Sequence, residues 1–274
     1  MKRAVTLAKF NDNVPNEDCC FASPECIVVS DGAGGCGLYA DHWSQYLVDR
    51  LDKTHPINSY REFDDWIDSI WEEFYNMHEI IAKEGDCMQI AKFYEEGSCA
   101  TVAAAWRTSP DECHWIAYGD SVVFHYSRKN GLLQHSFGRL ADFSNPPRLV
   151  SCKDPIEEIG FKKGKFILDD SSVVFAASDA LSHYIIMMYE ISKYSEYQDE
   201  LNEELNSQKS NLQLSAQDMK IDFYKDVIMP LQKGSASADL FERHVKGLYA
   251  NGLIDMDDFT IAFLKYDIES CNTH

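Results

Sequence analysis

The stretch Cys26-Ile27-Val28-Val29-Ser30-Asp31-Gly32-Ala33-Gly34-Gly35 decides how this sequence folds. An apolar run leads directly into an aspartate and a glycine-rich turn, which is the pattern of a buried strand that reaches solvent. Four further segments predict aspartates at strand exits: Asn16-Glu17-Asp18, Tyr118-Gly119-Asp120-Ser121, Ala177-Ser178-Asp179-Ala180 and Asp257-Asp258-Phe259-Thr260. Carboxylates that converge repel one another, so a fold gathers them mainly around a hard cation. The five segments therefore predict a site for Mg²⁺ or Mn²⁺.

A sixth segment, Glu96-Gly97-Ser98-Cys99-Ala100-Thr101-Val102, is rich in small residues. Together the six segments resemble, in wording and order, those of the type 2C metal-dependent protein phosphatases, the PPM family, from Asn16 to about Tyr266. A single Asp-Gly dipeptide is a common turn, but six segments in one order form a specific pattern. The resemblance implies an α+β fold, a four-layer α-β-β-α sandwich of two antiparallel sheets flanked by helices.

The resemblance also implies a set of metal ligands, namely Glu17, Asp18, Asp31, Gly32, Asp120, Asp179 and Asp257. Asp31 would bridge two Mg²⁺ or Mn²⁺ ions, and Gly32 would offer its backbone carbonyl to one of them. Asp120 matches a position that contributes to a third ion in some members, although a hydrogen-bond acceptor that fixes the turn is an equal alternative. The aspartates implied in catalysis are Asp18, Asp31, Asp179 and Asp257.

The implied reaction is hydrolysis of phosphoserine and phosphothreonine in proteins by a water that the bound metal activates. The implied partners are a phosphoprotein substrate and a cognate kinase. An alternative is a degenerate phosphatase-like domain that binds a phosphoprotein or partner without hydrolysing it. An aspartyl-phosphate phosphohydrolase is disfavoured because that chemistry needs a second aspartate where Ala33 stands. A Rossmann-type nucleotide site is disfavoured because the glycines lack its spacing.

Several positions depart from the family pattern. Asn13 stands where the family often has an arginine that binds the substrate phosphate. Ala180 replaces a usual glycine, which is harmless if its φ is negative, and Asp258 replaces a usual asparagine. Adjacent residues entering a strand point to opposite faces, so we do not expect both acids to bind the same metal. The resemblance to the family's Asp-Asn-x-Thr implies that Asp257 is the ligand, that Asp258 is a hydrogen-bond acceptor or an outer-shell charge, and that Asp258→Asn is mild for metal affinity and turnover. Candidates to replace the arginine are Lys9, Arg139 and Arg148.

Composition narrows the remaining function classes. With 274 residues, 45% of them hydrophobic, the sequence could hold one large domain or two small ones. Because the acidic segments span almost its full length, we expect one domain over 1–274, which the resemblance implies is phosphatase-like. The net charge of −20 disfavours nucleic acid and anionic membranes as partners, and no stretch has the length of a membrane span. Nine cysteines without a C-x-x-C pair predict reduced thiols in a cytoplasmic protein.

Hydrophobic periodicity predicts several elements. Helices are expected over 39–54 and 63–81, an antiparallel hairpin from the runs 100–106 and 114–126, a last helix over 236–249 and a closing strand over 259–264. The stretch 132–165, within a flap-like segment at about 130–165, is expected to be irregular and is a candidate for substrate contact. A polar insertion is expected at about 193–220, either as a solvated helix or as a partly disordered segment.

Overall fold

A computed structural model describes residues 3–10, 14–208 and 216–264 of the chain. The strands in these ranges are β1 Ala4–Leu7, β2 Cys19–Ala22, β3 Cys26–Ser30, β4 Cys99–Ala100, β5 Val102–Ser109, β6 Glu112–Tyr118, β7 Val122–Ser127, β8 Leu132–His135, β9 Val150–Ser151, β10 Phe161–Ile167, β11 Ser172–Ala177 and β12 Phe259–Phe263.

The helices in the described ranges are α1 Ala40–Arg50, α2 Tyr60–Glu84, α3 Cys87–Glu96, α4 Asp179–Ser192, α5 Tyr194–Gln208, α6 Met229–Gly234 and α7 Ala238–Ala250. Short 3₁₀ turns cover Leu140–Ser144 and Glu158–Gly160, and a π-helical turn covers Tyr224–Ile228. None of the helices described combines the length and apolar character that crossing a bilayer requires.

Two five-stranded antiparallel sheets form the centre of the fold. The first sheet has the order β1-β12-β11-β7-β8 and the second has the order β10-β6-β5-β3-β2. A small third sheet pairs β4 with β9. The chain passes from the second sheet to the first between β6 and β7, at Gly119, whose φ of +100° suits a residue without a side chain.

Three apolar layers hold the sheets and helices together. The layer between the sheets packs small and branched side chains from both, such as Val29 and Ala103 against Val123 and Ala176. The outer face of the second sheet is covered by α1 and α2, and that of the first by α4 and α7. The predicted α-β-β-α sandwich is thereby confirmed.

The helices begin where their sequences provide caps. Ser59 accepts a hydrogen bond from the Glu62 amide at the start of α2, and Ser237 does the same for the Leu240 amide at the start of α7. Both helices then present an apolar stripe to a sheet, Phe63 and Phe74 being fully buried in α2. The predictions for α1, α2 and α7 and for the closing strand are confirmed to within a few residues.

Two expectations need correction. The run 114–126 is not one strand, because Gly119 and Asp120 divide it into β6 and β7, which lie in different sheets. The stretch 132–165 is not irregular throughout, since β8 and most of β10 lie in it. The insertion 193–220 contains helix α5, in agreement with the first of the two alternatives given for it, and its residues 209–215 lie outside the described ranges. That residues 1–274 form a single domain stays a prediction.

Candidate metal centre

Five aspartates, which we call the acidic rim, lie at one end of both sheets: Asp18, Asp31, Asp120, Asp179 and Asp257. Asp31 and Asp179 follow β3 and β11, and Asp120 lies in the connection from β6 to β7. Asp18 and Asp257 instead precede β2 and β12, so the expectation of five strand exits is wrong for these two. Because neighbouring strands are antiparallel, the entry of one strand lies beside the exit of the next.

The segment at Asp31 is fixed by a buried threonine. The Thr101 hydroxyl accepts a hydrogen bond from the Asp31 amide at 3.0 Å and pairs with the Ser121 hydroxyl at 2.6 Å. The Thr101 amide in turn donates to the Asp31 carbonyl at 2.8 Å. Thr101 therefore ties the exit of β3 to the turn that carries Asp120.

A second set of bonds fixes Glu17. Its carbonyl accepts from the Gly32 amide at 3.1 Å and from the Ser44 hydroxyl at 2.5 Å. A Cβ atom on Gly32 would lie 2.6 Å from the carbonyl oxygens of both Ala40 and Glu17, so only glycine fits between them. The Gly32 carbonyl, which the family resemblance assigns to metal, accepts a hydrogen bond from the Gly34 amide at 3.2 Å.

The side chain of Asp258 accepts hydrogen bonds from backbone amides instead of facing the rim. Its two carboxylate oxygens accept the amides of Lys9 and Glu17, each at 2.7 Å, and the side chain is buried. Asp257 accepts the Asp258 amide at 2.9 Å and lines a cavity beside the rim. The two neighbours thus have different surroundings, in the arrangement expected for a strand entry.

A third set of bonds joins the strands that carry Asp179 and Asp257. The Ser178 amide donates to the Thr260 carbonyl at 3.1 Å, and the Thr260 amide donates to the Ser178 hydroxyl at 3.0 Å. Asp179 starts α4, where its carboxylate accepts the Ala180 amide at 2.6 Å. Ala180 lies in this helix and does not have a positive φ, so the alanine causes no backbone strain.

Asp18 is the most unusual carboxylate of the rim. Its side chain is buried, and neither of its oxygens has a hydrogen-bond partner among the residues that the structure describes. Burial raises the pKa of Asp18 to about 7, even though the nearby side chains of Thr260, Asp31 and Ser178 act in the opposite direction. A buried carboxylate without a donor is costly unless a cation or a proton neutralises it.

The other rim carboxylates also have raised pKa values. Burial, followed by the charges of Asp18, Asp179 and Asp120, raises the pKa of Asp31 well above 3.8. Burial and the neighbouring charges raise the pKa of Asp179 in the same way. Burial also raises the pKa of Asp120 to about 6, and it raises the pKa of Asp257. Protein surrounds Asp31 and Asp179 on most sides, although both keep some solvent access. The five acids are therefore close enough to repel one another.

Oxygen-only donors of this kind suit Mg²⁺ or Mn²⁺. The unpartnered oxygens of Asp18 and the mutually raised pKa values fit a site that a divalent cation would neutralise. Over the described ranges, however, no group of three or more His, Cys, Asp or Glu side chains is arranged so that it could hold a metal ion. The donor chemistry thus fits a hard cation, while the side-chain positions do not form a ligand shell.

The candidate replacements for the missing arginine are engaged with acids. Lys9 Nζ lies 3.3 Å from Glu17 Oε2, Arg139 lies 3.8 Å from Asp142, and Arg148 pairs with Glu157. Burial lowers the pKa of Lys9, but the charges of Asp258 and Glu17 outweigh it, so the pKa is raised. Asn13 lies outside the described residues.

Two cavities open beside the rim. The larger, about 580 Å³, includes Asp120 and is walled by parts of the flap-like segment 130–165. The smaller, about 140 Å³, includes Asp179 and Asp257. Phe137 lines the first cavity and Phe143 the second, and their rings stack with centroids 4.1 Å apart, so this pair forms a wall between the two.

Sequence reasoning missed several residues that build the site, among them Thr101, Ser44 and Lys162. In the sequence, Thr101 is one member of a small-residue segment, and the only sign of its role is its position before a run of alanines. Ser44 lies inside α1 and Lys162 inside β10, where nothing in the local pattern marks them.

No family model and no curated protein sequence matches the chain. Several solved protein structures do match the chain. The serine/threonine phosphatase PstP/Ppp of Mycobacterium tuberculosis is 14% identical, with 96% of this chain and 97% of that chain covered and a TM-score of 0.55. The catalytic domain of PstP in complex with two manganese ions is 14% identical over 97% and 98% of the two chains, with a TM-score of 0.53. The phosphatase Stp1 of Staphylococcus aureus is 13% identical over 96% and 94%, with a TM-score of 0.51.

These similarities extend over nearly the full length of both chains, and they agree with the two antiparallel sheets and flanking helices described above. At such low identity they bear on the fold alone. The chain therefore has the fold of the PPM-family serine/threonine phosphatases.

Proposed function

We propose that the chain is a Mg²⁺- or Mn²⁺-dependent phosphatase of the PPM family that hydrolyses phosphoserine and phosphothreonine in proteins. The observation that carries this proposal is the acidic rim, with the unpartnered carboxylate of Asp18 at its centre. The two manganese ions in the structure of the PstP catalytic domain support a divalent cofactor. Localisation in the cytoplasm stays a prediction from the cysteine pattern.

Bound divalent cations would neutralise the rim, stabilise charge on the phosphoryl group and lower the pKa of an attacking water. The proposed ligands are those that the sequence resemblance implies, from Glu17 and Asp18 through Asp31, Gly32 and Asp120 to Asp179 and Asp257. The protein's own part is to hold these groups in place. Thr101 fixes Asp31, Asp258 fixes Glu17, and the Ser178–Thr260 pair fixes Asp179 beside Asp257.

The alternative is a degenerate domain that binds a phosphoprotein or partner without hydrolysis. The contact between Lys9 and Glu17 favours it, because an ammonium there neutralises a proposed ligand in place of a metal. Hydrolysis of a phosphoserine peptide with Mn²⁺, with Mg²⁺ or with EDTA decides between the two functions. We expect turnover with either metal, none with EDTA, and a loss of at least about a hundredfold in Asp31→Asn. A chain that binds the peptide but never hydrolyses it would be the degenerate form.

A further inference from the structure

One residue that lines the larger cavity beside the acidic rim is a lysine, Lys162. Lys162 lies on β10 opposite Ala117 of β6, at the end of the sheet where the rim acids lie. Side chains alternate along a strand, so Lys162 shares a face with Phe166, which packs between the two sheets. Lys162 therefore points from the second sheet toward the first, into the opening beside Asp120.

The ammonium of Lys162 differs from the other cations near the site. Lys9, Arg139 and Arg148 each have a carboxylate within contact distance. In the described part of the chain, Lys162 makes no hydrogen bond and no ion pair, and its Nζ lies 4.9 Å from the centre of the Phe137 ring. An aromatic face orients an ammonium but leaves its N–H groups unsatisfied.

Lys162 is also partly removed from water. It is half-buried, and burial lowers its pKa against the opposing effect of Asp142 and Asp120. An ammonium that has already lost part of its hydration has a smaller remaining desolvation cost when an anion binds it. Its position beside Asp120, in a protein with a net charge of −20, provides local positive charge where an anionic substrate would otherwise be repelled.

We propose that Lys162 binds the phosphoryl oxygens of the substrate in the cavity beside Asp120, and so takes the role that Asn13 cannot fill. This inference rests on the proposed function, because it assigns the cavity to the phosphorylated side chain. Phe137 holds the ammonium in place from one side, and its stack on Phe143 fixes that ring in turn. Lys162 is a binding residue in this account and takes no part in proton transfer.

The experiment compares wild type with Lys162→Met, Lys162→Arg and the control Lys163→Met. Lys163 is the next residue of β10, carries the same charge and lies on the opposite face, where it donates to the Asn58 carbonyl. Calorimetry measures binding of inorganic phosphate in the presence of Mg²⁺, and kinetics with a phosphoserine peptide give kcat and KM. Thermal melts verify that each variant is folded.

Loss of one charge-assisted hydrogen bond should weaken binding about tenfold. We expect Lys162→Met to raise both the Kd for inorganic phosphate and the KM for peptide by about this factor, with little change in kcat, since the contact exists before and during reaction. Lys162→Arg should retain most of the affinity, and Lys163→Met should behave as wild type.

Unchanged phosphate binding in Lys162→Met would overturn the proposal, and so would an equal loss in Lys163→Met. A wild type that binds no phosphate overturns it as well. If wild type binds phosphate through Lys162 but shows no metal-dependent hydrolysis, the proposed enzymatic function fails while the assignment of Lys162 as an anion-binding residue is supported.

Discussion

Two adjacent aspartates illustrate how much depends on single residues in this fold. Both oxygens of Asp258 accept backbone amides, from Lys9 and from Glu17, whereas Asp257 lines a cavity at the rim. An asparagine at 258 has only one acceptor oxygen, and its NH₂ group would face an amide donor. That Asp258→Asn is mild for metal affinity and turnover stays a prediction from sequence, and the two backbone contacts add the expectation that it lowers stability.

We predict that Asp257→Asn lowers Mn²⁺ affinity by about a hundredfold or more, and leaves the melting temperature in EDTA unchanged or higher because one like charge is removed. Asp258→Asn should instead lower the unfolding free energy by about 1–3 kcal/mol, with a smaller loss of metal affinity. Titration with Mn²⁺ and melts in EDTA measure both effects. The reverse ranking would mean that the assignment of the two residues is wrong by one position.

Thr101 provides a second test at the same scale. Thr101→Val keeps the shape of the side chain but removes its hydroxyl. That hydroxyl accepts a hydrogen bond from the Asp31 amide and pairs with the Ser121 hydroxyl. We expect a loss of about 1–3 kcal/mol in urea unfolding with EDTA, together with weaker Mn²⁺ binding. Thr108→Val, at the exposed end of β5, which begins directly after Thr101, is the control and should change neither quantity. Equal effects from both substitutions would show that the hydroxyl of Thr101 does not position Asp31.

At the level of elements, the turn between β3 and α1 depends on close backbone approach at its glycines, among them Gly32. A methyl group on Gly32 would meet two carbonyl oxygens at 2.6 Å, whereas one on Gly35 would meet nothing within 4 Å. Gly32→Ala should therefore displace α1 or the Glu17 segment, lower the melting temperature and weaken Mn²⁺ binding. Gly35→Ala should be close to neutral in both measurements. A neutral Gly32→Ala would show that the backbone around Asp31 is looser than this packing indicates.

The elements that the sequence predicts have a recognisable pattern of apolar residues. Helices α1, α2 and α7 carry an apolar stripe on one side, and the β5–β6 hairpin is two branched or apolar runs around a turn. Helix α4 was missed because most of its residues are buried, which removes the polar face that marks a helix. Strand β10 was missed because it is an edge strand with three lysines and a glycine, a composition that protects an edge and hides the strand.

The site was predictable in its residue types but not in its supporting bonds. Aspartates beside glycines and apolar runs indicated where strands reach one end of the sheets. The partners Thr101, Ser44 and Lys162 are brought there by strand register and by packing of α1, over separations in sequence that no local pattern reports.

For the whole molecule, the acidic rim predicts an unusual dependence of stability on pH. In the folded protein the pKa is about 7 for Asp18 and about 6 for Asp120, above the 3.8 of a free aspartate. A carboxyl whose pKa is raised by folding contributes stability that is fully present below about pH 4 and is lost as the pH rises through the folded pKa.

We therefore predict that the melting temperature in EDTA falls between pH 5.5 and pH 8, by several degrees, since ~1 kcal/mol corresponds to roughly 2–4 °C in a chain of this size. Saturating Mn²⁺ should cancel the fall, because the cation replaces the protons that the rim loses. Scanning calorimetry at four or five pH values measures both curves. A melting temperature in EDTA that is flat or rising over this range would contradict the raised pKa values.

The most direct test of the central claim is a calorimetric titration of the metal-free protein with Mn²⁺ at pH 7.5. We expect saturable binding of two ions by wild type, strong loss in Asp31→Asn and in Asp18→Asn, and unchanged binding in Asp170→Asn, an exposed aspartate between β10 and β11. A wild type that shows no binding, or an Asp31→Asn variant that binds as wild type does, would contradict the claim that these aspartates form a divalent metal centre.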